Sequence, residues 1–338
     1  VPSDVIAQQP AVHAARLEAF AVLSRHAGNL PTAIGALQQA ERVRIEARQF
    51  ADSARTTALL AEVLCGAGQI EEAAQLAERA AQAGRRAGRI EVVITAELTR
   101  LQISLRQNKA DSLDKAAQLA ELSEHHGSLS QQVAVLDAWV GALLQAADHE
   151  RALAIAERCR EIAQSQPLLR LRARSDARLA QVLAVSGQAN EAVLMAQQAA
   201  ATASSAEDDV GRCRALIVIG AALAGVGRHD EAALSLNHAM SEAMACGQKG
   251  LAAEAAWELG NGRLRIGRHR EASHAFSQAQ NIAQQCGAQS LAARSLRANA
   301  ACSKALGRLD DAVQALSVVQ AFGDDVETAM SVVDRARI

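Results

Sequence analysis

The chain of 338 residues has no tyrosine and only six aromatic residues, which are two tryptophans and four phenylalanines. It also has only four prolines, at positions 2, 10, 31 and 167. Because the strands of a β-sandwich favour aromatic and β-branched residues, this composition argues against an all-β fold. Half of the residues are apolar, and alanine is prominent among them, which favours closely packed helices.

The chain also lacks strong charge and long apolar runs. Its formal net charge is −2, so it has no global attraction for nucleic acid or for an anionic membrane. The uncharged and strongly apolar stretch at residues 215–227 is too short to span a bilayer. The N-terminus lacks the charged and apolar regions of a signal peptide. We therefore expect a cytoplasmic protein that contacts neither nucleic acid nor membrane directly. Because the chain begins at Val1 rather than Met, we also expect it to be part of a longer protein.

Motifs for catalysis and for metal binding are missing from the sequence. There is no GxxxxGK[ST], HExxH or GxSxG motif and no Ser–His–Asp order. The six cysteines form no CxxC pair, so we expect buried thiols in a reducing compartment rather than a zinc site. His149, His229 and His269 follow equivalent turns, but residues one repeat apart cannot share one ion. We expect no enzymatic activity, no cofactor and no metal.

A short motif returns every 40 residues in the second half of the chain. It reads GRHDEA, GRHREA and GRLDDA at residues 227–232, 267–272 and 307–312. Gly187 lies one step earlier, and Gly28 and Gly68 form another pair at the same spacing. Two degenerate loops, near Asp111 and at Ala147, fill the gap between them. A fixed period of this length is typical of helical repeat proteins, and the register predicts eight units.

Small residues hold three fixed places around each loop glycine. One lies seven residues before the glycine, and alanines lie five and twelve residues after it, except that Val319 holds the last place in the final unit. Small side chains allow two helices to approach closely, and the glycine ends the first helix in a left-handed conformation. This pattern resembles the tetratricopeptide repeat, in a variant with a 40-residue period as in bacterial signalling and regulatory proteins. The usual period of that family is 34, but the Gly–Ala spacing argues against HEAT or armadillo repeats.

The resemblance covers nearly the whole chain and implies an all-α fold. We expect a right-handed superhelical solenoid of about eight antiparallel helix pairs. Residues 1–10 are predicted to be a lead-in, residues 11–322 the repeat array, and residues 323–338 a C-terminal capping helix. The third loop is stretched and the third and fourth units are irregular, so we expect the front half to unfold before units six to eight.

In this family the first helix of each unit lines a concave groove. With the loop glycine as the fifteenth residue of the unit, the second, fifth and ninth positions share one helix face. The candidate groove residues at these positions are Arg174, Gln181, Arg214, Trp257, Asn261, Arg294 and Arg297. Arginine offers a planar fork of donors for carboxylates, so we expect a protein or peptide partner with acidic groups. The alternative is a solvated helix face in which Trp257 belongs to the core and Asn261 caps a local backbone group.

Two hypotheses about function follow from the resemblance. In the first, the chain is a scaffold that binds a protein or peptide in its groove and belongs to a larger protein. In the second, it is the sensor or regulatory module of a bacterial signalling protein, such as a transcription regulator, a nucleotide cyclase or an ATPase. Such a module binds a peptide or small ligand and controls a neighbouring effector domain. The paired Lys and Asn of chaperone-binding members are not reproduced, so we do not expect chaperone tails as partners.

Overall fold

The computed structural model describes residues 9–26, 29–107 and 109–321, and these residues form helices joined by short turns, without a strand. The predicted capping helix at residues 323–338 and most of the lead-in lie outside the described residues. The sixteen described helices are α1 (Pro10–His26), α2 (Leu30–Glu46), α3 (Phe50–Gly66), α4 (Ile70–Arg86), α5 (Ile90–Arg106), α6 (Ser112–His126), α7 (Leu129–Gln145), α8 (His149–Gln164), α9 (Leu169–Val185), α10 (Ala189–Ser205), α11 (Asp209–Gly225), α12 (His229–Ala245), α13 (Lys249–Arg265), α14 (His269–Gln285), α15 (Gln289–Ala305) and α16 (Leu309–Ala321).

The helices form eight consecutive pairs in a regular register. The first helices of the pairs begin at residues 10, 50, 90, 129, 169, 209, 249 and 289. The third and fourth units therefore keep the register of the others to within one residue, and their irregularity lies in the turns and in slightly shorter second helices, of 15 and 16 residues. The turn between α5 and α6 spans residues 107–111, whereas most turns in the described part of the chain have three residues. None of the described helices combines the length and the apolarity that a membrane span requires.

Most turns end their helix with one residue in the left-handed conformation. Gly187 has a φ of 87° and donates its N–H to the carbonyl of Ala184, while Gln188 donates to the carbonyl of Leu183. This is the Schellman pattern, which satisfies the last carbonyls of the helix. Glycine adopts this conformation without strain, but Ala147 occupies the same place with a φ of 57°. Turns without glycine explain why the repeat is hard to see in the middle of the sequence.

Small residues in the first helices let the second helix of the same unit pack closely. A Cβ atom on Gly220 would lie 2.4 Å from Cγ of Leu236, and a Cβ atom on Gly260 would lie 2.5 Å from Cε1 of Phe276. Leu236 and Phe276 are buried in the interior of their units. The small-residue positions therefore have a steric cause, because any larger side chain would push the two helices apart.

First helices also pack on the first helices of neighbouring units. These contacts join α3 to α5, α5 to α7, α7 to α9, α9 to α11, α11 to α13 and α13 to α15. Consecutive second helices make no contact of comparable extent in the described part of the chain. The first helices therefore form the inner, concave side of the solenoid, and the second helices form its outer side.

The solenoid curves far enough for its early and late units to meet. The helix α15 packs against α5, five units away. Beside them, the turn at Gly68 touches the turn at Gly287: a Cβ atom on Gly68 would lie 2.7 Å from Cα of Cys286, and one on Gly287 would lie 2.8 Å from Cγ1 of Ile70. We call this junction the closing contact. We call the concave side that the first helices line between these units the inner channel.

Candidate functional site

A buried carboxylate anchors the first group of polar side chains in the inner channel. Asp137, on α7, is 3% exposed. Its Oδ2 accepts hydrogen bonds from Nη2 and Nε of Arg174, at 2.6 Å and 3.1 Å, and its Oδ1 accepts one from Nε of Arg178 at 2.5 Å. Arg178 also donates to Oε1 of Gln181 at 2.7 Å. Together with Arg214 on α11, these residues form what we call the arginine cluster.

Charge pairing decides the ionisation of this carboxylate. Burial alone would raise the pKa of Asp137, because desolvation disfavours the charged form. Arg174 and Arg178 outweigh this effect and hold the pKa of Asp137 well below its usual range. Asp137 is therefore ionised, and one negative charge faces three guanidinium groups.

Arg214 differs from the other two arginines of the cluster. No hydrogen-bond acceptor or ion-pair partner for it lies among the residues that the structure describes. Burial and the nearby charge of Arg174 both lower the pKa of Arg214, whereas Asp137 raises it by less. The side chain is partly buried, so its charge is poorly screened by water.

A second group lies on α13 and α15, and we call it the tryptophan group. The guanidinium carbon of Arg294 lies 4.0 Å from the centre of the Trp257 ring, in a cation–π arrangement. Trp257 is partly buried against Phe276 and Cys302, and its Nε1 is buried without a hydrogen-bond partner. Trp257 thus serves both as packing for its unit and as a platform for an arginine.

The tryptophan group also contains a carboxylate with an unusual pKa. Burial raises the pKa of Glu258 to about 7, and Glu254 adds to this increase. A hydrogen bond from Asn261 and the charge of Arg294 act in the opposite direction. Near neutral pH this part of the inner channel can therefore change its charge.

Glu254 and Glu62 connect the two groups to the rest of the inner channel. Glu254 acts electrostatically on Arg178, Arg214 and Glu258, so the arginine cluster and the tryptophan group are neighbours. Glu62, on α3, acts on Arg174 although it belongs to unit two. The charge of a residue in unit two therefore reaches the arginine cluster of unit five.

The structure distributes the predicted groove residues over these two groups. Arg174, Gln181 and Arg214 lie in the arginine cluster. Trp257, Asn261 and Arg294 lie in the tryptophan group. Arg297 is partly buried one turn further along α15. Arg55, which holds the second position of unit two, instead pairs with the buried Glu18, with 2.5 Å between Nη2 and Oε2.

The sequence pattern missed three charged residues of the inner channel. Asp137 holds a fifth position, where Ala177 and Ile217 in the next units are buried apolar residues. Arg178 and Glu258 hold the sixth position, which is not among the second, fifth and ninth positions that were used to predict the groove. A signal for both was present, because each lies four residues after a charged residue at the second position, and side chains with that spacing meet on a helix.

The cysteines and histidines do not gather into a metal centre in the described ranges. No group of three or more His, Cys, Asp or Glu residues there has the geometry for an ion. All six cysteines are free thiols, and Cys246 is the one that is not fully buried.

Comparisons with known proteins give fold likenesses only. No protein-family model matches the chain, and no curated protein is similar to it in sequence at a significant level. A Rap protein complexed with competence and sporulation factor superposes with a TM-score of 0.61 at 15% identity, over 83% of this chain and 80% of the other. Aspartyl phosphate phosphatase F from Bacillus subtilis gives 0.54 at 11% identity, over 96% of both chains.

A third likeness is to a signal transduction ATPase with numerous domains (STAND) that has a tetratricopeptide repeat sensor, from Pyrococcus horikoshii. It superposes with a TM-score of 0.55 at 14% identity and covers 90% of this chain but 52% of that protein, so this chain spans about half of its length. Together the helix order and these likenesses show an all-α, tetratricopeptide-like helical-repeat solenoid.

Proposed function

We propose that the chain is a helical-repeat scaffold that binds an extended peptide or protein segment in its inner channel. The observation that carries this proposal is the concave surface in which the arginine cluster and the tryptophan group lie side by side. A concave surface lined by donors and by an aromatic platform suits an extended chain better than a folded one. A Rap protein of the same fold is complexed with competence and sporulation factor, which supports a binding role for this fold.

The charges of the channel favour a partner with acidic groups. Arg174, Arg178, Arg214 and Arg294 outnumber the acids that pair with them directly. Guanidinium groups bind carboxylates through paired, charge-assisted hydrogen bonds. Added salt should weaken such binding, because it screens the attraction. Binding alone accounts for these features, and we propose no catalytic role.

The second hypothesis is a sensor module that controls an effector domain. It is supported by the STAND protein, because its tetratricopeptide repeat sensor belongs to a longer chain of which this solenoid spans about half. The site in the inner channel would be the same, but binding would change the state of a neighbouring domain. Determining which domains flank this segment in its gene distinguishes the sensor from the scaffold.

The experiment that tests the proposal is a binding screen with variants of the tryptophan group. An array of extended ten-residue peptides with graded acidic content is titrated by fluorescence anisotropy. Asn261→Ala and Arg294→Ala should each weaken the best binders by about 10-fold, since each removes one hydrogen-bonding or charged contact. Arg228→Ala is the control, because Arg228 is exposed in the turn between α11 and α12 and pairs with Glu231.

Two results would contradict the proposal. In the first, no peptide of any composition binds. In the second, peptides bind, but Arg228→Ala weakens them while both channel variants leave the affinity intact. The second result would place the binding surface at the turns of the solenoid and outside the inner channel.

A further inference from the structure

The arginine cluster contains more cations than its own carboxylate can pair. Both oxygens of Asp137 are engaged, Oδ2 by Arg174 and Oδ1 by Arg178. The guanidinium of Arg214 therefore retains its donors without an acceptor from the described residues. Because this side chain is only partly buried, its donors can be reached from the channel by water or by a ligand.

The nearby acids are placed so that they do not supply this partner. Glu254 is exposed on α13 and acts on Arg214 through its charge, but it makes no hydrogen bond with it. Glu62, across the channel, pairs with Arg25 at 2.8 Å. Neither carboxylate neutralises Arg214, so the positive charge of the cluster faces the channel.

Asp137 also fixes the directions of its two arginine partners. Arg174 binds it through two donors on one oxygen, and Arg178 is held at its other end by Gln181. Arginines that are already held in place lose little freedom when a ligand binds, which strengthens binding. Arg214 stands beside this rigid pair on the neighbouring first helix, α11.

We propose that Arg214, flanked by Arg174 and Arg178, forms an oxyanion subsite that takes one carboxylate or phosphate group of the segment bound in the channel. This inference rests on the proposed function and assigns a chemical group to one place in it. The planar fork of Arg214 matches two oxygens of a carboxylate or phosphate. Asp137 acts as a positioning residue, because it orients the flanking arginines and, as a carboxylate, donates no hydrogen bond to the anion.

The subsite is tested first with simple anions. Inorganic phosphate and glutarate are titrated at constant ionic strength, with chloride as the compensating salt, while the arginine Nε–H resonances are followed by NMR. We expect a saturable shift at Arg214 and none at Arg228. The anion with the lower dissociation constant identifies the preferred group. Shifts that grow linearly at all arginines alike would overturn the inference.

Variants at Arg214 provide the second test. Arg214→Gln should weaken the preferred anion by about 10- to 100-fold, because a charge-assisted pair of hydrogen bonds is lost. Arg214→Lys keeps the charge but not the fork, so it should restore only part of the affinity. Arg214→Gln should also fold at least as stably as the parent protein, since it removes an unpaired charge. Saturable anion binding that persists in Arg214→Gln, or a marked loss of stability in this variant, would refute the subsite.

A peptide probe separates this inference from the proposed function. The probe is a ten-residue peptide of alternating Glu and Ala, compared with the same peptide in which Gln replaces Glu. Binding of the acidic peptide that Arg214→Gln weakens supports both. Equal binding of the acidic peptide to the parent protein and to Arg214→Gln supports the proposed function but contradicts the subsite. Saturable binding of phosphate or glutarate at Arg214 without binding of either peptide supports the subsite and contradicts the acidic partner.

Discussion

The closing contact can be opened by adding a single methyl group. Gly68 and Gly287 face each other across this junction, and a Cβ atom at residue 68 would lie 2.7 Å from Cα and 2.8 Å from the carbonyl oxygen of Cys286. Carbon atoms in contact prefer a separation of about 3.5–4.0 Å. Gly68→Ala therefore forces the two turns apart by roughly 1 Å and loosens the packing of α15 on α5.

The matched control is Gly187→Ala. Gly68 and Gly187 hold the same place in their units, with φ values of 83° and 87°, but a Cβ atom on Gly187 meets no atom within 4 Å. An alanine in the left-handed conformation costs about 1–2 kcal/mol. Alanine also lowers the conformational entropy of the unfolded chain, and this offsets about 0.4–1 kcal/mol of that cost. Gly187→Ala should thus lower the free energy of unfolding by about 1 kcal/mol. Gly68→Ala adds an overpacking cost of about 1–3 kcal/mol.

Two measurements check this difference. Urea unfolding should give a larger loss of stability for Gly68→Ala than for Gly187→Ala. Small-angle X-ray scattering should give a larger radius of gyration for Gly68→Ala alone, because only this variant separates distant units. If both variants unfold and scatter alike, the turns do not meet in solution and the channel is open.

Three further predictions concern pH and the turns. The pKa of Asp137 is lowered on folding, so its contribution to stability is complete above about pH 5 and is lost as the pH falls below its unfolded value near 4. Asp137→Asn should therefore lower the free energy of unfolding by about 3 kcal/mol at pH 7. Urea titrations should also show that this variant loses less stability than the parent protein when the pH is lowered. The pKa of Glu258 is raised on folding to about 7, so its contribution is lost as the pH rises from about 4 through 7. Comparing urea midpoints at pH 5 and pH 8 should show that Glu258→Gln removes this decline, and an unchanged decline would contradict the burial of that carboxylate. Ala147 has a φ of 57°, so Ala147→Gly should raise the melting temperature slightly, because it relieves a net strain of about 1 kcal/mol, as for the turn at Gly187. A lower melting temperature would show that Ala147 is unstrained.

The sequence predicted the local architecture well because its signals are local. Loop glycines such as Gly187 and the small residues such as Gly220 act within one helix pair, so their 40-residue spacing was enough to predict eight pairs. The register was harder to see near Ala147, because alanine there adopts a conformation that is usually left to glycine. The expected order of unfolding, with the front half first, stays a prediction.

The candidate site was predicted less completely, because it depends on helix rotation and on distant contacts. A fixed choice of facing positions found Arg174 and Arg214 but missed Arg178, since the inner face is wider than three positions. Asp137 holds the fifth position of a unit whose loop has Ala147 in place of glycine, and its partners come from the next unit. The closing contact could not be read from the sequence, because it results from small rotations accumulated over five units.

The closing contact also determines how the solenoid can deform. An open array of repeats bends and stretches continuously, because each unit touches only its neighbours. Here the junction of α5 and α15 ties two distant units together, so the width of the channel is constant while the junction holds. A wider channel requires that the junction break. The solenoid should therefore change between two discrete widths, and a segment without a free end can enter only in the wider one.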